Sequence, residues 1–126
     1  MEFLTGKLAD AGCVTDGPGF GAAVLGRERI AATWLGHGVA MPHARTDLAR
    51  SLSIAVGTSE AGIPWPNAAQ SARIIVLVAI PPAEIAGYLS LVRRIMGAVA
   101  HPERRARLVA AESDETLMRA WGEVLR

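Results

Sequence analysis

Cysteine is almost absent from this chain. A single residue, Cys13, leaves no partner for an internal disulfide and excludes a disulfide-built fold. Aromatic residues make up only 5% of the 126 positions, although 51% are apolar, so the core must be built from Leu, Val, Ile and Ala. No apolar run approaches the length of a membrane span, and the N-terminus lacks the basic-then-apolar pattern of a secretion signal. Charge of one sign is missing too. The net charge is +1, with Arg104, Arg105 and Arg107 offset by Glu103 and Glu112, which is no footprint for nucleic acid. Lysine is scarce, since all basic residues but Lys7 are arginine, a habit of composition rather than of function. These absences point to one cytoplasmic domain over residues 1–126, with neither nucleic acid nor membrane insertion among its contacts.

What is present is punctuated clearly. Residues 2–11 read as a short helix ended by Gly12, and Asp16-Gly17-Pro18 opens a second helix running to about Ala31. A glycine-bearing turn over residues 33–38 leads into a short apolar strand, Val39 to Met41. Leu52, Ile54 and Val56 alternate with Ser51, Ser53 and Ala55 as a half-buried strand does, and Gly62 to Asn67 reads as loop. Arg73 to Ile80 is a short, continuous apolar run rich in β-branched residues, expected to be a central strand, and Pro81-Pro82 ends it. From Ala83 to about Ala100 the period becomes helical, with Ile85, Leu89, Val92, Ile95, Met96 and Val99 as one stripe. Pro102 opens a helix to about Glu112. Ser113 caps a last one, whose core face is Leu117, Trp121, Val124 and Leu125. Two helices, three strands and three helices predict a small mixed sheet covered by helices, an α/β (mixed α+β) fold.

The run Gly36-His37-Gly38-Val39-Ala40-Met41-Pro42-His43 presents one imidazole. Pro42 lacks an N–H and biases Met41 toward extended backbone, so the expectation is a strand that stops at Pro42 and delivers His43 at its carboxyl end. Ligand contacts gather there in open α/β sheets. An imidazole supplies a nucleophilic nitrogen near neutral pH. Arg27 projects from the apolar stripe of the second helix, formed by Phe20, Ala23, Val24 and Ala31. A guanidinium in that position needs an anion, either a carboxylate such as Glu28 or a bound oxyanion. Tyr88 lies at the edge of the long helix's stripe, where a phenol can reach the strand ends. His37 and His101 read as solvent-facing turn residues, and a metal site from His37 and His43 lacks carboxylate or thiolate company. Cys13 reads as a small buried filler, and Trp34, Trp65 and Trp121 as core or loop anchors.

The gapless segment Arg27-Glu28-Arg29-Ile30-Ala31-Ala32-Thr33-Trp34-Leu35-Gly36-His37-Gly38-Val39-Ala40-Met41-Pro42-His43-Ala44 resembles a family signature. It is similar to the enzyme IIA domain of the bacterial phosphoenolpyruvate-dependent sugar phosphotransferase system, in its fructose–mannitol and nitrogen-regulatory branch. The likeness continues through Gly62-Ile63-Pro64-Trp65, the strand ending at Pro81, and residues 107–115, and so covers nearly the whole chain. The resemblance implies a small mixed β-sheet sandwiched between helices in three layers. It also implies a phosphocarrier. The histidine matching His43 would accept a phosphoryl group from the histidine-containing phosphocarrier protein and pass it to a IIB partner, or would switch contacts with a regulatory target protein. Arg27 would lie beside it as an oxyanion clamp, with Thr33, Gly36 and Gly38 in a phosphoryl-binding loop; neither cofactor nor metal is implied.

Three departures from the family pattern stand out. Tyr88-Leu89 occupies the place where the family carries a second active-site histidine followed by leucine. Trp34 replaces a small residue. The family's N-terminal strand is expected to be missing, and pairing with a second copy as a homodimer is one way to satisfy the ladder groups it would leave bare.

Overall fold

The computed structural model describes residues 2–31, 33–65 and 71–124, without the side chain of Val124. Helix α1 (Glu2–Asp10) ends where Gly12 adopts a φ of 77°. The Cys13 N–H returns to the Leu8 carbonyl at 2.9 Å and the Gly12 N–H to that of Ala9 at 3.0 Å, the paired bonds of a glycine-terminated helix. Helix α2 (Gly17–Ile30) starts on an extended Asp16, whose carboxylate accepts the Gly19 N–H at 3.0 Å. Both boundaries follow from local chemistry, as the sequence implies.

Among the described residues five strands follow: β1 (Trp34–Gly36), β2 (Val39–Ala40), β3 (His43–Arg45), β4 (Ser53–Pro64) and β5 (Ser71–Ile80). β5 is the axis of the mixed sheet. β2 and β3 run parallel to it along one side, β1 lies antiparallel outside β2, and β4 lies antiparallel on the other side. Three strands were expected from the sequence, and two differences have physical causes. Pro42 interrupts the strand but does not end it. Val39 faces Ile74 and His43 faces Val78, so the same register resumes beyond the gap, and the Pro42 carbonyl still accepts the Val78 N–H at 3.0 Å. His43 therefore opens a strand instead of closing one. The stretch Gly62 to Pro64, expected as loop, belongs to β4, because Ile63 and Pro64 pair with Ala72 and Ser71 after a bulge. Gly62 makes that bulge tolerable, with a φ of 85° and Ser71 Cβ only 2.8 Å from where a Cβ would stand. Trp65 is buried, whereas Pro66 and Asn67 lie outside the described residues.

Helices α3 (Ile85–Val99), α4 (Pro102–Val109) and α5 (Asp114–Val124) complete the chain. Alternation along β5 divides the core into two faces. Ile74, Val76, Val78 and Ile80 join Val39 and Met41 against Ile95, Val99, Leu108 and Trp121 of the three C-terminal helices. Ile75, Leu77 and Ala79 join Ala40 and Ala44 against Leu4, Leu8, Phe20 and Val24 of α1 and α2. The sheet is thus the middle of three layers. The buried stripe of α3 is rotated from the expected one: Ile95, Ala98 and Val99 are buried, with Tyr88, Leu91 and Val92 packed against the core. Ile85, Leu89 and Met96 face outward at 37%, 55% and 52% exposure.

Candidate functional site

The site is assembled around the Met41-Pro42 interruption. Met41 donates its N–H to the Thr33 carbonyl at 2.8 Å rather than to β5. Its own carbonyl lies 3.0 Å from His43 Nδ1. A carbonyl oxygen can only accept, so Nδ1 carries the proton and Nε2 keeps its lone pair. The half-buried His43 ring, on the α3 side of the sheet, is therefore oriented to attack through Nε2. This tautomer is dictated by a main-chain group two residues away.

Tyr88, on the second turn of α3, brings its ring to 5.6 Å from the His43 ring, centroid to centroid, tilted by 36°. Partial burial pushes the Tyr88 phenol above its ordinary value of 10.0, and the nearby Arg27 charge pulls it back in part. Tyr88 is consequently a neutral O–H donor near pH 7. Arg27 lies on α2, which packs against β3, near enough for its charge to act on the Tyr88 phenol. The Arg27 Nη1 donates to the Ala31 carbonyl at 3.0 Å, and among the described residues it has no carboxylate partner. Its remaining donors suit an oxyanion.

Glu28 is not the partner of Arg27. Buried to 3% exposure, it continues the Phe20–Val24 face of α2 and accepts the Thr33 N–H at 3.1 and 3.2 Å and the Trp65 Nε1–H at 3.3 Å. The Thr33 hydroxyl donates to it as well. Thr33 thus anchors the turn, and its hydroxyl is already engaged. Gly36 and Gly38 sit elsewhere. The Gly38 carbonyl accepts the N–H groups of Arg73 and Ile74 at the start of β5. Five residues of extended chain, roughly 16 Å, separate Gly38 from His43. The structure therefore brings together His43, Tyr88 and Arg27, keeps Thr33 as support, and leaves the two glycines at the far end of the strand.

Trp34 packs with the α1–α2 face of the core. His37 is exposed in a turn with a φ of 54°, and exposed His101 caps α4 without a side-chain bond. Among the described residues, no three His, Cys, Asp or Glu side chains gather closely enough to hold a metal ion. Nor is any described helix long and apolar enough to cross a membrane.

A three-layer domain whose sheet presents one half-buried imidazole, with a phenol at its side and a guanidinium that lacks a carboxylate partner among the described residues, is a fold with a histidine-centred site. Residues 1–121 match the family model for the phosphoenolpyruvate-dependent sugar phosphotransferase system, EIIA 2, and the chain belongs to that family. It is 30% identical over 99% of its length to the fructose-specific EIIA component of Haloferax volcanii, of which it spans 82%. It spans 19% of the longer 2-O-alpha-mannosyl-D-glycerate-specific EIIABC component of Escherichia coli, at 31% identity over 95% of this chain. Among solved structures, IIA mannitol of Escherichia coli superposes with a TM-score of 0.80 at 21% identity, covering 99% of this chain and 85% of that one. The complex of enzyme IIA mannitol with phosphorylated enzyme IIB from the same organism gives 0.80 at 19% identity, covering 97% and 84%. The three-layer fold is that of the mannitol IIA domain. The family is that of phosphocarriers in sugar transport.

Proposed function

We propose that this protein is a cytoplasmic phosphocarrier in which His43 Nε2 takes a phosphoryl group from the phosphohistidine of the histidine-containing phosphocarrier protein and gives it to a IIB partner. One observation carries this reading: the Met41 carbonyl holds the proton on Nδ1 and leaves Nε2 free. In the forward step the donor's N–P bond breaks, the donor nitrogen keeps the electron pair, and a new bond forms between phosphorus and Nε2. The Nδ1 proton stays on Nδ1 throughout, donated to the Met41 carbonyl. Donor and acceptor are both imidazoles, so the reaction is close to balanced. The protein has only to align the two nitrogens and neutralise the equatorial oxygens. Arg27 supplies the charge and Tyr88 O–H a neutral bond to one oxygen. The exposed stripe of Ile85, Leu89 and Met96 lies on the same helix as Tyr88 and offers an apolar surface beside the site against which a partner protein can seat. In the mannitol relative, a phosphorylated IIB domain is the protein bound in the complex.

A second reading is favoured by Tyr88 itself. Without a second imidazole at that position, the phosphorylated form serves as a switch for a regulatory target and does not pass the group on.

One assay distinguishes them. The protein is incubated with phosphoenolpyruvate, enzyme I and the phosphocarrier protein, and acid-labile phosphate is measured in wild type and His43→Ala. Label confined to wild type and transferred to an added IIB domain is the expected result. Label that stays on His43 supports the switch, and absence of label overturns both.

A further inference from the structure

We infer that Glu28, which neither touches the imidazole nor meets Arg27, is the positioning residue that sets the tautomer and orientation of His43. The inference deepens the phosphocarrier reading and rests on it for its kinetic consequence. Three hydrogen-bonded links connect the two residues. The Glu28 carboxylate holds Thr33 through both its N–H and its hydroxyl. The Thr33 carbonyl holds the Met41 N–H at 2.8 Å. The Met41 carbonyl, turned by that bond, meets His43 Nδ1 at 3.0 Å.

The position of Met41 is what makes the first link matter. Met41 lies in the gap between β2 and β3, and Pro42 has no N–H to add. The sheet therefore does not fix the Met41 peptide through its N–H; Thr33 does. Thr33 in turn lies between α2 and β1, where, among the described residues, Glu28 takes up its N–H and hydroxyl. A carboxylate at 3% exposure demands donors on both oxygens, and the Trp65 indole completes the set. The cluster is thus locked from two sides: by Trp65 just after β4, and by the Thr33 turn.

Glutamine cannot replace this carboxylate silently. Each Glu28 oxygen faces an N–H donor: Thr33 N–H for both, and Trp65 Nε1–H for one. Whichever way the side-chain amide of a Glu28→Gln variant is turned, its NH2 confronts an N–H group, so the Thr33 anchor loosens on one side.

The test reads the imidazole directly. Ring nitrogens of the protein's 3 histidines are observed by long-range proton–nitrogen correlation, with His43 assigned by its loss in His43→Gln. Wild type should show a His43 pattern dominated by the Nδ1–H form. Glu28→Gln should shift the ratio of the two tautomers by about tenfold, the scale of one weakened hydrogen bond. Its phosphorylation rate at saturating donor should fall by a similar factor, with KM for the phosphocarrier protein little changed. Trp65→Phe removes only the indole donor and should move the ratio in the same direction by a smaller factor; it decides the matter if Glu28→Gln does not fold. A wild-type tautomer ratio in whichever of these variants keeps a native amide spectrum overturns the inference, as does a wild-type His43 found mainly in the Nε2–H form. Should wild-type protein accept no phosphoryl group, the carrier reading fails alone, because the tautomer comparison needs no phosphorylation.

Discussion

The His43 and Tyr88 rings lie 5.6 Å apart, and the charge of Arg27 is felt at the Tyr88 hydroxyl. One helix from each outer layer thus contributes to a site centred on a strand of the middle layer. In the proposed carrier the imidazole would supply the nucleophile, and the two helices positive charge and a hydrogen bond. A phosphoryl group on Nε2 would be met from both layers.

Tyr88 is the chain's one tyrosine, so its ionisation can be followed by tyrosinate absorbance with no background from others. Burial raises its pKa, so the midpoint should lie above 10.0. Ionisation is therefore disfavoured in the folded protein. The Tyr88 contribution to stability is complete below pH 10 and is lost as pH rises through the elevated midpoint. A midpoint at or below 10 would show that burial of the ring does not outweigh the Arg27 charge.

Arg27 is predicted to act on both the phosphoryl group and the phenol. Arg27→Gln should slow phosphorylation of His43 about tenfold to a hundredfold while leaving the circular dichroism spectrum intact. The Tyr88 midpoint should climb further, because the charge that lowers it is gone. Unchanged kinetics together with an unchanged midpoint would remove Arg27 from the site.

Tyr88→Phe keeps the ring contact and deletes the O–H. Phosphorylation of His43 should persist at a rate reduced about tenfold, the worth of one hydrogen bond to a charged oxygen. Tyr88→His should bring onward transfer to a IIB domain up to or above the wild-type rate. If neither variant alters transfer, the phenol is a spacer.

Phe20 is fully buried between α2 and the sheet. Phe20→Ala should destabilise the protein by about 3–5 kcal/mol in urea unfolding, through lost burial and the cavity left behind. A loss below about 1 kcal/mol would mean that α2 is not a fixed layer, and with it that Arg27 has no fixed position.

Local punctuation made the helices legible in the sequence. Gly12, Asp16, Pro18 and Pro102 act within a few residues of themselves, so α1, α2 and α4 begin or end where capping chemistry places them. The central strand was legible because β5 is buried on both faces from Ile74 to Ile80 and must be apolar there. β1 and β3 were not, since 3 residues each form a strand only when a neighbouring strand supplies the ladder. Glu28 carried a signal that the reading of Arg27 obscured: Phe20, Val24 and Glu28 recur at four-residue spacing, which sets the glutamate, and not the arginine, on the buried face.

By itself the sequence determined the three-layer architecture, the imidazole after Pro42 and the identity of its companions, because periodicity, caps and a long gapless signature are properties of contiguous residues. Only the tertiary structure decided which companions meet it. Gly38 is five residues from His43 in the chain yet a strand's length away, whereas Tyr88 is distant in sequence and at ring contact. An extended chain separates near neighbours, and a parallel strand followed by a returning helix brings remote ones together.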